Sequence, residues 1–438
     1  MNEKKRLSPF FYMQYDLSMS TIIRLTATFW MWLSVFGAGL WAQDTLTVEQ
    51  CRELAATASP LQAQKQHAAT IASLQTASLR SAQLPRINVG GQATLQSAAF
   101  GLPIESPLFQ VPAVPKDQYR LQVDISQRLW DGQSDRVRRA QYALEQEAAS
   151  AQADVDVFSL REAVTDLFFK ILLLQESAAI LENSLLDLKN KQQQVHAAVS
   201  EGVLLRTQED QLQIQILKMS QQLSAIKEDD QTLRGLLALW IGRPEARLVL
   251  QIPTETSNAE PVARPEWSLF NVKQQQLEIA KEGIALRRQP RLDAFAQGGW
   301  GNPNPLNFFD QGLFGLVGIR AQWTPFDWGA DRKAIEVLAV QQQQIGAQKQ
   351  AFELRMQAQS IKDRQEMEKN QAMLALDQQV IDLQKSILQR ADEQVKSGVM
   401  TMTDYLTQVQ LLTQAQLTYK THQLQVLYAR ESEQAHGK

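Results

Sequence analysis

From Val157 to Val199 the chain carries apolar residues at alternating steps of three and four. The seam reads Val157, Leu160, Val164, Leu167, Ile171, Leu174, Ala178, Leu181, Leu185, Leu188, Val195 and Val199, with Gln192 its one polar break. A 3.5-residue period held this long predicts a helix that supercoils around neighbours rather than lying on a compact core. No Gly or Pro occurs from Ser134 to Glu201. A helix of roughly 65 residues rising about 1.5 Å per residue would be about 100 Å long. After Gly202 a returning helix carries Leu212, Ile216, Met219, Leu223, Ile226, Leu233, Leu237 and Trp240 on the same spacing.

A second pattern, strict alternation, flanks the rods. Ile87, Val89, Gly91, Ala93 and Leu95 face one way and Asn88, Gly90, Gln92, Thr94 and Gln96 the other. Tyr119, Leu121, Val123 and Ile125 oppose Arg120, Gln122, Asp124 and Ser126. Further on, Leu292, Ala294, Ala296 and Trp300 oppose Asp293 and Gln297, with Phe295 an exception, and Val317, Ile319, Ala321 and Trp323 oppose Arg320, Gln322 and Thr324. Period two predicts strands, either half-buried in a soluble sheet or crossing a membrane with lipid on one face. The membrane reading gains from the aromatics gathered at strand ends: Trp130, Trp300, Phe314, Trp323, Phe326 and Trp328. Four strands cannot close a barrel, and an open edge inside lipid is not tolerable, so on that reading several chains share one barrel.

The pattern occurs twice. Leu129-Trp130-Asp131-Gly132-Gln133-Ser134-Asp135-Arg136 matches Pro325-Phe326-Asp327-Trp328-Gly329-Ala330-Asp331-Arg332, and Glu201-Gly202-Val203 matches Ser397-Gly398-Val399. Both matches are shifted by 196 positions, as from Gly202 to Gly398. Pro60 and Pro85 bracket a Gln/Ala-rich helix, as do Pro265 and Pro290. The expected division is a first repeat over 44–240, with strands at about 86–97 and 118–130 and a helical hairpin over 134–240. A linker follows over 241–263. A second repeat covers 264–438, with strands at about 291–301 and 314–326, a hairpin over 330–430 and a C-terminal tail. Gly202 and Gly398 mark where each rod reverses.

Residues 1–43 read as a signal peptide. Lys4, Lys5, Arg6 and Arg24 precede an apolar run from Phe29 to Leu40, and Leu40-Trp41-Ala42 offers a cleavage site. The mature chain then begins at Gln43 or Asp44, and Met19 is an alternative start; an uncleaved anchor helix is the competing reading. Cys51, the only cysteine, lies inside a helical pattern, which argues against a lipidated N-terminus and excludes an intramolecular disulfide. A net charge of -3 and the absence of a basic, aromatic-rich cluster give no case for nucleic acid. His67, His196, His422 and His436 are scattered without metal-ligand spacing. No nucleophile-elbow or phosphate-loop pattern suggests an enzyme, and no cofactor is expected.

The chain resembles the TolC-like outer-membrane efflux protein family over essentially its whole mature length. Thr45-Leu46-Thr47-Val48-Glu49-Gln50-Cys51-Arg52-Glu53-Leu54-Ala55 followed by Ser59-Pro60 resembles the family's opening helix, with Ser59 where the family usually has Asn. Arg264-Pro265-Glu266 resembles the opening of the second repeat and Leu129-Trp130-Asp131-Gly132 the strand-to-helix junction. The resemblance implies a mostly α protein with a transmembrane β part. A homotrimer would pool four strands per chain into a twelve-stranded barrel, continued by long antiparallel coiled-coil helices as a periplasmic tunnel. It places the protein in the outer membrane of a Gram-negative bacterium, in contact with outer-membrane lipid. It implies a passive duct that works with a periplasmic adaptor (membrane fusion) protein and an inner-membrane pump, exporting drugs, metal ions or proteins. The stretch from about Leu239 to Ala263, with the tail, would belt the tunnel's middle.

By the same resemblance, Gly202-Val203-Leu204-Leu205-Arg206-Thr207 and Gly398-Val399-Met400-Thr401-Met402-Thr403 are helix tips that dock the adaptor. A plain helix reversal would need the same glycines. Asp404 falls where the family can ring its closed entrance with carboxylates; Thr407 replaces a second such aspartate, and Glu209 and Asp210 lie near the matching place in the first half. An acidic ring favours cations, whereas a lone aspartate there also suits a helix N-terminus. The competing function is an exported coiled-coil scaffold whose strands form a small soluble sheet.

Overall fold

A computed structural model describes residues 45–98, 115–244, 248–253 and 263–436. The expected signal peptide, most of the loop between the first two strands and most of the 241–263 linker lie outside the described residues. In chain order the elements are β1 (Thr45–Leu46), α1 (Val48–Ala58), α2 (Leu61–Ser81), β2 (Arg86–Leu95), β3 (Asp117–Trp130), α3 (Ser134–Ser200), α4 (Arg206–Ile241) and β4 (Val249–Leu250). Then follow α5 (Pro265–Ala285), a single 3-10 turn over Leu286–Arg288, β5 (Arg291–Asn302), β6 (Gly312–Gln322), α6 (Ala330–Lys396) and α7 (Met402–His436).

Helices α3 and α6 are each 67 residues long, so each rod reaches about 100 Å. Their starts, Ser134 and Ala330, keep the 196-residue shift seen in the motifs, and so do the starts of α4 and α7 at Arg206 and Met402. The returning helices are only about half as long, so each rod changes partner along its length. Near the sheet α3 packs against α2 and α5, and beyond its midpoint against α4 and α7. Every seam residue of α3 is buried or half-buried. The polar break resolves locally, since the Gln192 side-chain amide donates to Gln213 on α4.

Two apolar cores stabilise the rods. The middle core joins α1, α3, α4 and α7 through Cys51, Ala55, Phe168, Ile171, Leu172, Leu237, Ile241 and Leu424, and the short parallel pair β1–β4 closes over it. Cys51 is fully buried there, and burial, partly offset by Arg243, pushes its thiol up to about 11, so it packs as a small apolar group. The distal core ties both hairpins together through Leu185, Leu188, Leu212, Met219, Val395, Met402, Leu406 and Val409.

The four long strands form one antiparallel sheet in the order β2-β3-β5-β6, so the strands of the two halves meet at β3–β5. β6 begins at Gly312 and stops at Gln322, short of the expected 314–326. Pro325 has no N–H to give a ladder and disfavours continuation in the residues before it. Trp323, Phe326 and Trp328 therefore lie on the segment leading into α6 rather than in the strand.

Candidate functional site

The sheet register sorts the side chains into two faces. Ile87 pairs with Ile125, Val89 with Val123, and Gly91 with Leu121. The same rows continue as Leu121 with Trp300 and Ile125 with Ala296, then Ala296 with Val317 and Ala294 with Ile319. This face is apolar across all four strands. On the opposite face Asn88, Asp124 and Gln297 share one row, and Arg128, Asp293 and Arg320 another. Phe314 pairs with Gly299 on this polar face, so it is not part of an aromatic band on the apolar side. Phe295 also lies here. Its ring covers Gly318, where a Cβ would come within 2.9 Å, and the Arg320 guanidinium sits 5.1 Å from its centroid.

Burial is inverted relative to a soluble sheet. On β3 the apolar Leu121, Val123 and Ile125 are exposed, while Gln122, Asp124, Ser126 and Arg128 are half-buried. On β6 Val317 is 79% exposed and Ile319 70%. On β3 polar side chains thus line the more enclosed face and apolar ones the open face, whereas β2 is exposed on both faces and most of β5 is half-buried on both. Strands β2 and β6 both present an unpaired edge.

The repeated Trp-Asp-Gly and Phe-Asp-Trp-Gly motifs turn strand into rod. The Asp131 carboxylate accepts from the backbone N–H groups of Gln133 (3.0 Å) and Asp135 (2.6 Å) and from the Ser134 hydroxyl (3.0 Å). Asp327 accepts from the N–H groups of Gly329 (3.1 Å) and Asp331 (2.7 Å). Each carboxylate caps the orphan donors at the start of a long helix. Burial pushes the Asp131 carboxyl up, but these donors outweigh it and hold it below the ordinary range. The N–H groups of Asp331 and Gly329, with Arg288 nearby, lower Asp327 likewise.

At the far end both rods stop in the same way. Val203 N–H donates to Ala198 O (2.8 Å) and Gly202 N–H to Val199 O (3.0 Å); Val399 donates to Gln394 O (2.9 Å) and Gly398 to Val395 O (3.2 Å). This is the Schellman arrangement, which puts the residue after the cap in the left-handed region. Gly202 has φ 74° and Gly398 φ 73°. Where such a motif usually folds its next apolar residue inward, Val203 is 72% and Val399 76% exposed. Leu205 is exposed as well, whereas Leu204 and Met400 turn in against the distal core. Thr207 and Thr403 are exposed.

Asp404 is exposed and sits at the third position of α7. Its N–H donates to Thr401 Oγ1 (3.2 Å) and the Thr401 hydroxyl donates to its carboxylate (2.7 Å). It thus forms a reciprocal cap at the N-terminus of α7. Thr407 bonds only back to Thr403 O on its own helix. In the first half Glu209 pairs with His196 at 2.7 Å.

Sequence patterning passes over one further group. Lys191 lies beside the α3 seam, next to Gln192, with only 6% of its side chain exposed. It pairs with Asp392 of α6 and lies 5.2 Å from the Tyr405 ring centroid of α7. Lys396 binds the other oxygen of Asp392 at 2.6 Å. Burial raises the Asp392 carboxyl, and the hydrogen bonds and charges of Lys191 and Lys396 together overcome this and lower it. Burial, with the nearby Asp392 and Asp187 charges, pushes the Tyr405 phenol up to about 12. The usable signal was a charged residue beside an apolar stripe, which demands a partner.

No protein-family model and no curated protein matches this chain. Solved structures do. The outer membrane protein VceC of Vibrio cholerae aligns with a TM-score of 0.64 at 14% identity, covering 89% of this chain and 96% of that one. The CmeC outer membrane channel of Campylobacter jejuni aligns at 0.64 and 13%, covering 89% and 86%. The MtrE outer membrane channel of Neisseria gonorrhoeae, solved in its open state, aligns at 0.61 and 16%, covering 89% and 88%. The chain has the TolC-like outer-membrane channel fold. At these identities the likeness is one of fold, spread over nearly the full length of both chains.

Proposed function

We propose that the protein is the outer-membrane channel of a tripartite export system. Three chains share one barrel, and the rods extend from it as a passive, water-filled duct across the periplasm. The observation that carries this reading is the sheet itself, whose apolar face is continuous over four strands and exposed on β2, β3 and β6, whose polar face is the more enclosed one on β3, and whose two edges are open. In water so much exposed apolar surface would be unfavourable; facing lipid it is the required arrangement. β2 and β6 run in opposite directions, so β6 of one chain can pair antiparallel with β2 of the next in a closing ring. The resemblance to the TolC-like family supports three as the number of chains. The apolar face runs on β5 from Leu292 to Trp300, about 27 Å along a strand. With the usual tilt this is about 21 Å of height, close to the apolar band of known barrels.

The test is reconstitution. The protein should need detergent, run as a trimer and form ion-conducting channels in planar bilayers. A monomer or dimer soluble without detergent would instead support the exported scaffold. In the same recordings Asp404→Ala should lower cation preference, since three such carboxylates ring the narrow end. Unchanged selectivity would leave Asp404 with the capping role alone, worth about 1 kcal/mol.

The exposed Val203, Leu205 and Val399 give the distal tips an apolar surface with no use in the rods themselves. We assign this surface to the periplasmic adaptor, which couples the duct to an inner-membrane pump. The double variant Val203→Asp/Val399→Asp should keep its melting profile and conductance yet lose export in cells and cross-linking to the adaptor. Full export by that variant would reduce the tips to helix reversals.

A further inference from the structure

The polar face of the sheet is not evenly charged. Following the register, the row nearest the rods holds Arg291 with Gln322, the next Arg128, Asp293 and Arg320, and the third Arg86, Ser126 and Phe295. Four arginines and one aspartate therefore fall within the five residues from Arg291 to Phe295 of β5, about 13 Å of strand. Further along, Asp124 is the one charged residue in its row, and Arg120 lies between Gln92 and Gly301. The face as a whole carries five arginines and two aspartates, while the complete chain has a net charge of -3. The excess is local to this surface.

The arginines are also poorly neutralised. Among the described residues Arg86, Arg120 and Arg291 form no ion pair. Arg320 is held by the Phe295 ring rather than by a carboxylate. Arg128 is 4.0 Å from Asp135, whose other oxygen is occupied by Gln83 at 2.9 Å. Guanidinium groups stay protonated at any working pH, so this charge does not titrate away.

We propose that these side chains form a basic collar inside the base of the barrel, which makes the exit of the duct selective for anionic solutes. The inference rests on the duct reading above, because that reading turns the polar face inward. Three chains would place nine excess positive charges around one bore. Low-dielectric walls focus such a field, and it extends about one Debye length, roughly 10 Å at 0.1 M salt. Rings of Arg or Lys are the usual device of anion-selective pores. Arg also suits the job chemically, since its planar fork pairs with carboxylate and phosphate groups. The cargo class assigned is thus an organic anion bearing carboxylate, sulfonate or phosphate. The opposing acidic ring proposed at Asp404 lies at the other end of the duct, so the two can be separated by mutation.

The experiment measures reversal potential under a KCl gradient across a planar bilayer containing the full trimer. Arg86→Gln/Arg128→Gln/Arg320→Gln should lower the chloride-to-potassium permeability ratio at least about threefold. The same positions changed to Lys should keep the wild-type ratio, and Asp404→Ala should move it in the opposite direction. Arg86→Gln alone, which breaks no ion pair, should give a smaller shift of the same sign if the triple variant assembles poorly. Tripolyphosphate added on the barrel side should reduce wild-type current and leave the Gln variant unaffected. A conducting trimer whose ratio and block are unchanged by the Gln substitutions overturns the collar and leaves the duct standing. An inserted trimer that conducts nothing removes the duct reading, and the collar with it.

Discussion

Gly299→Val is expected to abolish assembly of the proposed membrane part. Gly299 lies on β5 opposite Gln122 of β3. A Cβ there would stand 2.2 Å from Leu121 O and 2.8 Å from Gln122 Cα. Both are backbone atoms of the neighbouring strand, so no side-chain rotation relieves the clash and the strands must part. This is the pairing that joins the two halves of the chain, and its loss would strand ladder groups in lipid. Overpacking costs about 1–3 kcal/mol, and each unsatisfied backbone group in hydrocarbon several more. Assembled channel in the outer-membrane fraction should fall more than about tenfold, a loss of at least 1.4 kcal/mol in the assembly equilibrium. Gly90→Val and Gly315→Val provide the contrast, because a Cβ at either position meets nothing within 4 Å. If Gly299→Val assembles as well as they do, the β3–β5 approach is looser than described.

The elements that could be read from sequence are those whose pattern repeats a single physical demand. The α3 seam keeps one face of the rod apolar from Val157 to Val199, Gln192 apart, and alternation on β3 fixes a face for each of its side chains. Period alone could not say which face of the sheet is the more enclosed; that appears only in burial, as on β3. Phe314 shows the same limit. As an aromatic at a strand end it looked like part of an interfacial band, yet its register with Gly299 puts it on the polar face. Phe295 broke the alternation because its space is supplied by Gly318, a neighbour about 20 residues away in sequence. The glycine tips were legible, since a left-handed cap leaves a glycine in the chain. Exposure of Val203 and Val399 was not, because it depends on where the distal core ends. The Lys191–Asp392 pair joins residues about 200 positions apart, and no local pattern connects them.

That pair gives the second large effect. Asp392→Leu would leave the Lys191 ammonium nearly fully buried without its ion-pair partner, with the Tyr405 ring beside it. Breaking a buried pair from one side typically costs about 3–5 kcal/mol, and a ring contact recovers about 1 kcal/mol of that. The loss should be confined to the distal core, so backbone hydrogen exchange over residues 381–409 should accelerate about a hundredfold while the middle core keeps its protection. Lys191→Met should be far milder. Asp392 is about a third exposed and keeps Lys396, and Met would extend the apolar seam. Equal effects from the two variants would mean that the pair is solvated and holds nothing. The sign with pH follows from the lowered Asp392 carboxyl. Its contribution is complete above the unfolded value of about 3.9 and is lost as pH falls through the lower folded value. The protection of the distal amides, taken relative to their intrinsic exchange rate at each pH, should therefore be flat from neutral pH down to about 4 and fall only below it, and in Asp392→Leu this acid-dependent step should be absent. Because α3 belongs to one hairpin and α6 to the other, the same linkage would loosen the two hairpins from each other at the tips, where Gly202 and Gly398 already allow the backbone to turn.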